Sequence, residues 1–389
     1  MNMFEPVCRS CGTVHPVEAV YACRKCGGSL DIRYDYERIF ADYPFAELIS
    51  SSGWDMWNYR PLLPILPEAQ AITLGEGGTP LLRSRNIQDL AGLPRLYLKL
   101  ESVNPTLAFK DRPLSVALTA AMQFGMQEVV CASTGNTGVA AAAYAARAGL
   151  RCTVYVPAST PMEKLGAMKE YGAELQPIAG SFSDALETAM EQAVLRNAFN
   201  LTSTYLNPYA IEGNKTVAYE LLAQLGRVPD WIVVPIGAGP LLSGIYKGFQ
   251  EMKRSGFVDR LPRMVGVQAD GCAPIAEAYR SGAKEVLPWR SAVATAASGI
   301  ADPLISYPAD GSRTLSVIRE SGGIALSIPD DRLLHYRKQL AMREGVLAEL
   351  SSVTAVAAVQ NMLQDGVLRN EDTVIAIVTG HGFKDMSVQ

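Results

Sequence analysis

Lys110 stands in the run Asn104-Pro105-Thr106-Leu107-Ala108-Phe109-Lys110-Asp111-Arg112-Pro113, between an apolar stretch, Leu96–Leu100, and a second one from Leu114 to Met122. Read as strand, polar turn and helix start, this order sets the lysine near the exposed N–H groups of a helix N-terminus, where anions bind. A lysine there, beside Phe109, is a candidate Schiff-base former, because a partly desolvated amine gives up its proton more readily. A solvated surface charge is the alternative reading of a lone lysine.

Two further segments repeat the strand–turn–helix order, and a third follows a strand. Ser133-Thr134-Gly135-Asn136-Thr137-Gly138 follows Val129–Ala132 and precedes an alanine-rich helix predicted from Val139 to Ala148. Hydroxyls, glycines and N–H groups at a helix start suit a carboxylate or a phosphate; a plain cap by Ser133 or Thr134 is the simpler alternative. Ile236-Gly237-Ala238-Gly239-Pro240-Leu241 follows Trp231–Pro235 and opens another helix. Its glycines let the backbone approach an anion that the helix dipole favours, although Pro240 has no N–H to offer. A dinucleotide site is the competing reading of that loop, on a weaker fingerprint. Val378-Thr379-Gly380-His381-Gly382 leaves the last apolar run, and His381 is either a general acid or a structural loop residue.

Cys8, Cys11, Cys23 and Cys26 form C-x2-C-x11-C-x2-C. Two such knuckles bring four thiolates to one tetrahedral metal, and Gly12, Gly27 and Gly28 supply the tight turns after them. With no open coordination position, the Zn2+ expected there is structural. Two disulfides are the alternative, disfavoured where thiols stay reduced. Cys131, Cys152 and Cys272 lie in apolar segments and read as small core residues.

These residues need elements to position them. The chain has 389 residues, 48% of them hydrophobic and 19% charged, with a formal net charge of −4, as expected of a soluble globular protein. No basic run points to nucleic acid, and no apolar run is long enough to span a membrane. The N-terminus lacks the basic and apolar regions of a signal peptide, so a cytoplasmic protein is expected. Apolar runs at 96–100, 128–132, 152–157, 232–236, 264–268 and 373–378 alternate with helical stretches such as Pro161–Tyr171, Asp184–Arg196, Thr216–Leu225 and Leu241–Lys253. Short buried strands alternating with helices predict an α/β fold of parallel sheets. The expected architecture is two doubly wound α/β lobes with a cleft between them, preceded by a small zinc ribbon. In domain terms, residues 1–36 are the ribbon and 37–72 a connector whose Trp54, Trp57 and Tyr59 pin it to the body. Residues 73–389 are the catalytic body, with a smaller lobe at roughly 110–220 inserted in the larger.

Together the motifs resemble the threonine synthase family of fold-type II pyridoxal phosphate (PLP) enzymes. The lysine run is similar to Asn-Pro-Thr-Gly-Ser-Phe-Lys-Asp-Arg-Gly, with Leu107-Ala108 in place of Gly-Ser and Pro113 in place of the last Gly. Thr379–Asp385 is similar to the family's Thr-Gly-His-Gly-Leu-Lys-Asp, and Gly27–Tyr36 resembles the end of its N-terminal ribbon. The resemblance implies that Lys110 carries PLP, with Phe109 beside it. It further implies that Asn136 touches the cofactor's phenolic oxygen, Gly237, Ala238, Gly239, Pro240 and Leu241 cradle its phosphate, and the Thr379 hydroxyl meets its pyridine nitrogen. Ser133, Thr134, Asn136 and Thr137 would bind the substrate carboxylate. Asn207–Thr216 resembles Arg-x-Glu-Gly-Gln-Lys-Thr, and its Lys215 either contacts substrate phosphate or is a surface charge. Glu349-Leu350-Ser351-Ser352 departs from Glu-Pro-x-Ser, with Ser351 or Ser352 lining the ring. The implied activity is a lyase, a homodimer, that converts O-phosphohomoserine and water to threonine and phosphate. Alternatives are β-replacement or β-elimination on serine, threonine or an activated derivative, and a non-catalytic PLP-binding paralogue.

Overall fold

The computed structural model describes residues 3–50, 55–86, 93, 95–202 and 204–386; Trp54 lies outside them. In chain order the strands are β1 (Phe4–Cys8), β2 (Leu30–Tyr34), β3 (Leu81–Arg83), β4 (Leu96–Leu100), β5 (Glu128–Ala132), β6 (Arg151–Pro157), β7 (Glu174–Ile178), β8 (Phe199–Asn200), β9 (Trp231–Pro235), β10 (Arg263–Ala269), β11 (Ile324–Ile328) and β12 (Val374–Val378). They belong to two compact units.

One unit comprises Met1–Gly78 and Lys110–Thr216. Its β1 and β2 pair antiparallel, with Phe4 opposite Tyr34 and Cys8 opposite Leu30. A parallel sheet in the order β7-β6-β5-β8 forms the rest of its frame. Every residue of β5 is buried, which is why the central strand reads as a continuous run and not as an alternation. At the sheet edge, β7 keeps Pro177, tolerated where a missing N–H breaks no ladder. The helix Phe182–Leu195 begins with a reciprocal Ser181–Asp184 capping box. The helix Asn136–Ala148 buries Ala140–Ala143 and Ala145, small enough for close packing.

The other unit comprises Thr79–Phe109 and Val217–Gln389. Its six-stranded sheet runs β11-β10-β9-β12-β4-β3, parallel except for the edge strand β3. The helix Leu350–Gln364 lays Val353, Val356 and Ala357 into the core formed with Val233, Val265 and Ala376. The register Val378↔Leu100 brings the ends of β4 and β12 level, so the segments that follow them start side by side. Within β4, Lys99 is fully buried and donates to Glu220 Oε2 at 2.7 Å, the Thr79 carbonyl at 2.7 Å and Gln224 Oε1 at 3.0 Å.

Candidate active site

Lys110 is the N-cap of the helix Asp111–Gln123, and its carbonyl accepts the Leu114 N–H at 3.1 Å. The lysine is half-buried, and its charge reaches Cys131. Burial pushes that thiol well above its ordinary range, Cys152 adds to the effect, and Lys110 opposes it. Asp111 and Arg112 are fully buried behind Lys110.

In the same unit the loop Ser133–Gly138 corrects the sequence reading. The helix starts at Asn136 instead of Val139, so Asn136 and Thr137 belong to its first turn. Ser133 Oγ accepts the Gly135 N–H at 3.2 Å and the Gly138 N–H at 2.9 Å, while the N-cap position itself is held by Gly135. Thr137 is buried, and Thr134 and Asn136 are half-buried. The helices Asn136–Ala148 and Asp111–Gln123 pack against each other.

In the other unit, the residues before Lys110 are stitched to the segment after β12. The Phe109 N–H donates to the Thr379 carbonyl at 2.9 Å, the His381 N–H donates to the Leu107 carbonyl at 3.0 Å, and Ala108 bridges Gly380. Leu107 itself has φ +62°, a left-handed backbone that a side chain rarely adopts. The turn beneath is held by Glu101, which accepts from the Thr79 hydroxyl at 2.6 Å and the Asn104 amide at 2.9 Å. Thr379 is buried, with its Oγ1 2.9 Å from Ser352 Oγ. Ser351 turns elsewhere and accepts the Gly299 N–H at 2.9 Å. His381 Nδ1 accepts the Phe383 N–H at 3.2 Å and caps the short turn Gly382–Lys384, which matches its structural reading.

Gly237, Ala238 and Gly239 form the turn into the helix Pro240–Arg254, with Pro240 and Leu241 in its first turn. Gly239 is the N-cap at φ +94°, and a Cβ there would run into Thr314. The Thr314 hydroxyl donates to the Ala238 carbonyl.

Lys215 is not a surface charge. It is fully buried, 2.7 Å from Glu212 Oε2, with its Nζ 3.8 Å from the centre of the Tyr34 ring. The segment Leu74-Gly75-Glu76-Gly77-Gly78 carries a second buried charge. Its Glu76 is fully buried and accepts from Trp57 Nε1 at 2.9 Å and the Tyr144 hydroxyl at 2.7 Å. Glu212, within Asn207–Thr216, is not among the candidate residues, and its contacts alone disclose a part for it.

Cys8, Cys11, Cys23 and Cys26 converge, their Sγ atoms all within 4.8 Å of one another. Gly12 donates to the Cys8 carbonyl at 3.0 Å and Gly27 to the Cys23 carbonyl at 2.8 Å, so both knuckles use the same turn. His15 Nε2 lies 3.3 Å from Cys23 Sγ.

Residues 72–380 match the family model described as pyridoxal-phosphate dependent enzyme. Threonine synthase from Methanocaldococcus jannaschii is 39% identical over 97% of this chain and 92% of its own length. Threonine synthase from Methanosarcina acetivorans is 39% identical over 98% of this chain and 93% of its own. Among solved structures, maize serine racemase shares the fold at a TM-score of 0.68 and 24% identity, over 78% of this chain and 88% of its own. With the match spanning most of its length and full-length relatives at this identity, the chain belongs to the pyridoxal-phosphate dependent enzyme family.

Proposed function

We propose that this protein is a PLP-dependent threonine synthase, a lyase that converts O-phosphohomoserine and water to threonine and phosphate. The observation that carries the reading is the near-full-length similarity to proteins named threonine synthase, at 39% identity. The stitching of Phe109 to Thr379, one peptide bond from Lys110, supports it at the level of the site.

The residues present fit the cofactor. A primary amine stands at Lys110, the residue after Phe109 in the chain. An anion-ready helix start stands at Gly237, Ala238, Gly239, Pro240 and Leu241, where the first-turn N–H groups are unused within the helix. A neutral hydroxyl pair stands at Thr379 and Ser352, suited to a ring nitrogen that stays largely unprotonated. We assign Asn136 to the phenolic oxygen. When bound, pyridoxal phosphate supplies an electron sink for charge at the substrate's Cα. Lys110 acts as the base that takes and returns the proton there, phosphate leaves from Cγ, and water adds at Cβ. Ser133, Thr134, Asn136 and Thr137 hold the substrate carboxylate at their helix start. Lys215 is assigned to the substrate phosphate, its ammonium held by Glu212 at 2.7 Å until that anion arrives.

We further propose that residues 1–36 are a ribbon with structural Zn2+ on Cys8, Cys11, Cys23 and Cys26, joined by residues 37–72 to a body of residues 73–389. Sγ separations of 3.4–3.6 Å between Cys8 and Cys26, Cys11 and Cys23, and Cys11 and Cys26 fit this. They lie near the edge of about 3.8 Å that a tetrahedron of Zn–S bonds gives and far above the roughly 2.05 Å of a disulfide. Reduced thiols suit a cytoplasmic protein, and the homodimer is proposed on the family resemblance alone. Among the described residues no helix is long and apolar enough to cross a membrane.

The test is the visible spectrum of the purified protein, followed by phosphate release from O-phosphohomoserine. A cofactor band lost in Lys110→Ala, with threonine and phosphate formed by the wild type, is the expected result. A band without phosphate release would overturn the substrate and direct the search to elimination from serine or threonine. No band would overturn Lys110.

A further inference from the structure

The cysteine-bearing segment grips the stretch that backs Lys110. Between its two knuckles, the Glu18 carbonyl accepts the Tyr209 hydroxyl at 2.7 Å, and the Tyr21 hydroxyl accepts the Asn200 N–H at 2.7 Å. At the end of β2, the Tyr34 hydroxyl donates to Glu212 Oε2 at 2.9 Å, and its ring lies beneath Lys215. The gripped stretch abuts the lysine turn in its own right. Gly213 packs so closely that a Cβ there would run into the Arg112 carbonyl, and Arg112 Nη1 donates to Thr216 Oγ1 at 2.9 Å. Arg112 is two residues from Lys110, in the first turn of the same helix.

Phe4, Ile32 and Tyr34 are buried along β1 and β2, but the knuckles themselves have little apolar cover. The cluster at the knuckles is Cys8, Val20, Cys23 and Leu30, and two of those four are proposed metal ligands. A cluster of that size cannot offset the entropy of ordering the chain around it. Metal ligation would then be its folding free energy.

We propose that Tyr34 is a positioning residue for the Lys110 turn, acting through Glu212 and the helix Pro208–Gly213, and that the metal of the ribbon holds Tyr34 in place. Cofactor affinity therefore depends on the ribbon, although the ribbon supplies no atom to the cofactor. The inference rests on the reading of Lys110 as the cofactor lysine and of the four cysteines as a metal site.

The experiment uses the full-length protein with its zinc and cofactor. Metal content, far-UV circular dichroism, the visible cofactor band and the pyridoxal phosphate dissociation constant are measured for wild type, Tyr34→Phe, Tyr34→Leu and chelator-treated wild type. Tyr34→Phe keeps the ring beneath Lys215 and removes the hydroxyl bonded to Glu212. It should raise the dissociation constant about tenfold, the scale of one hydrogen bond to a charged group, with zinc content and dichroism unchanged. Tyr34→Leu, which also loses the ring, should raise it further; if that variant fails to fold, Tyr34→Phe decides. Chelation should weaken cofactor binding in wild type at least as much, and added zinc should restore it. Wild-type affinity in both Tyr34→Phe and the chelated protein would overturn the proposal. Loss of zinc from Tyr34→Phe would overturn it too, because Tyr34 would then serve the metal site and not the lysine turn. Failure of the underlying readings is seen in the wild type alone, as no cofactor band or no zinc in reduced protein, and takes the proposal with it.

Discussion

Ser352 Oγ lies 2.9 Å from Thr379 Oγ1 and accepts the Gly380 N–H at 2.8 Å. One serine in the first turn of a helix thereby fixes both the hydroxyl and the backbone of the segment that follows β12. Ser352→Ala should cost about 1–3 kcal/mol, since it leaves a buried N–H without its acceptor. Urea denaturation measures this. Thr379→Val, which removes the hydroxyl at constant shape, should weaken pyridoxal phosphate binding about tenfold, and Thr379→Ser much less. Equal affinity in the valine variant would show that the ring nitrogen has another partner.

Leu107 predicts an unusual mutational order. Its φ of +62° is held by the Leu107 N–H on the Asn104 carbonyl at 2.7 Å and by the His381 N–H on its own carbonyl at 3.0 Å. Leu107→Val should destabilise by about 1–2 kcal/mol, because β-branching worsens a left-handed backbone. Leu107→Gly relieves that strain but gives the unfolded chain more freedom, so it should stay within about 1 kcal/mol of wild type. Denaturation midpoints in one background compare the two; a valine variant as stable as wild type would mean the strain is absent.

Lys99 and Glu220 form a buried pair in the second unit, 0% and 6% exposed at their side chains. Lys99→Met alone should cost about 3–5 kcal/mol, because it strands a carboxylate away from water. Adding Glu220→Leu should recover most of that loss, since the desolvation cost disappears with the second charge. A double-mutant cycle in urea decides; purely additive losses would contradict the pairing.

His381 gives a pH dependence. Burial, with the Lys384 charge second, holds its imidazole below the ordinary 6.5. Protonation would also take Nδ1 away from the Phe383 N–H. The stabilisation is therefore fully present above the unfolded value of 6.5 and lost as pH falls through the lower folded one. Melting temperature should fall more steeply below pH 6.5 in wild type than in His381→Asn. Parallel profiles would assign that part of the acid loss to other groups.

The parts of the fold that were legible are those with continuous apolar runs. All six runs occur as strands, because a parallel strand covered on both faces has no polar side to interrupt the pattern. The strands β7, Glu-Leu-Gln-Pro-Ile, and β11, Ile-Ala-Leu-Ser-Ile, escaped because they lie at sheet edges and alternate or carry proline. The helix at Lys110 was legible from its order of strand, turn and apolar run. The start at Asn136 was hidden because Gly138 reads as a loop residue, while in the structure it donates its N–H to Ser133 within the first turn. Lys215 was illegible for a different reason. Its burial depends on Glu212 beside it and on Tyr34, far away in the chain, and no local pattern announces that compensation. Glu76 is the same case, with Trp57 and Tyr144 on either side in sequence.

The place of β12 has a consequence for biosynthesis. This strand comes near the end of the chain yet lies between β9 and β4 in the sheet. On the ribosome, the parallel sheet β7-β6-β5-β8 has all its strands once Asn200 has emerged. The six-stranded sheet must wait for Val378, and until then β4 and β9 each present an unfilled edge to other nascent chains. Translation that stalls before Thr373 would therefore leave a split sheet with two sticky inner margins, a natural substrate for chaperones, where loss of an outer strand would only have shortened it.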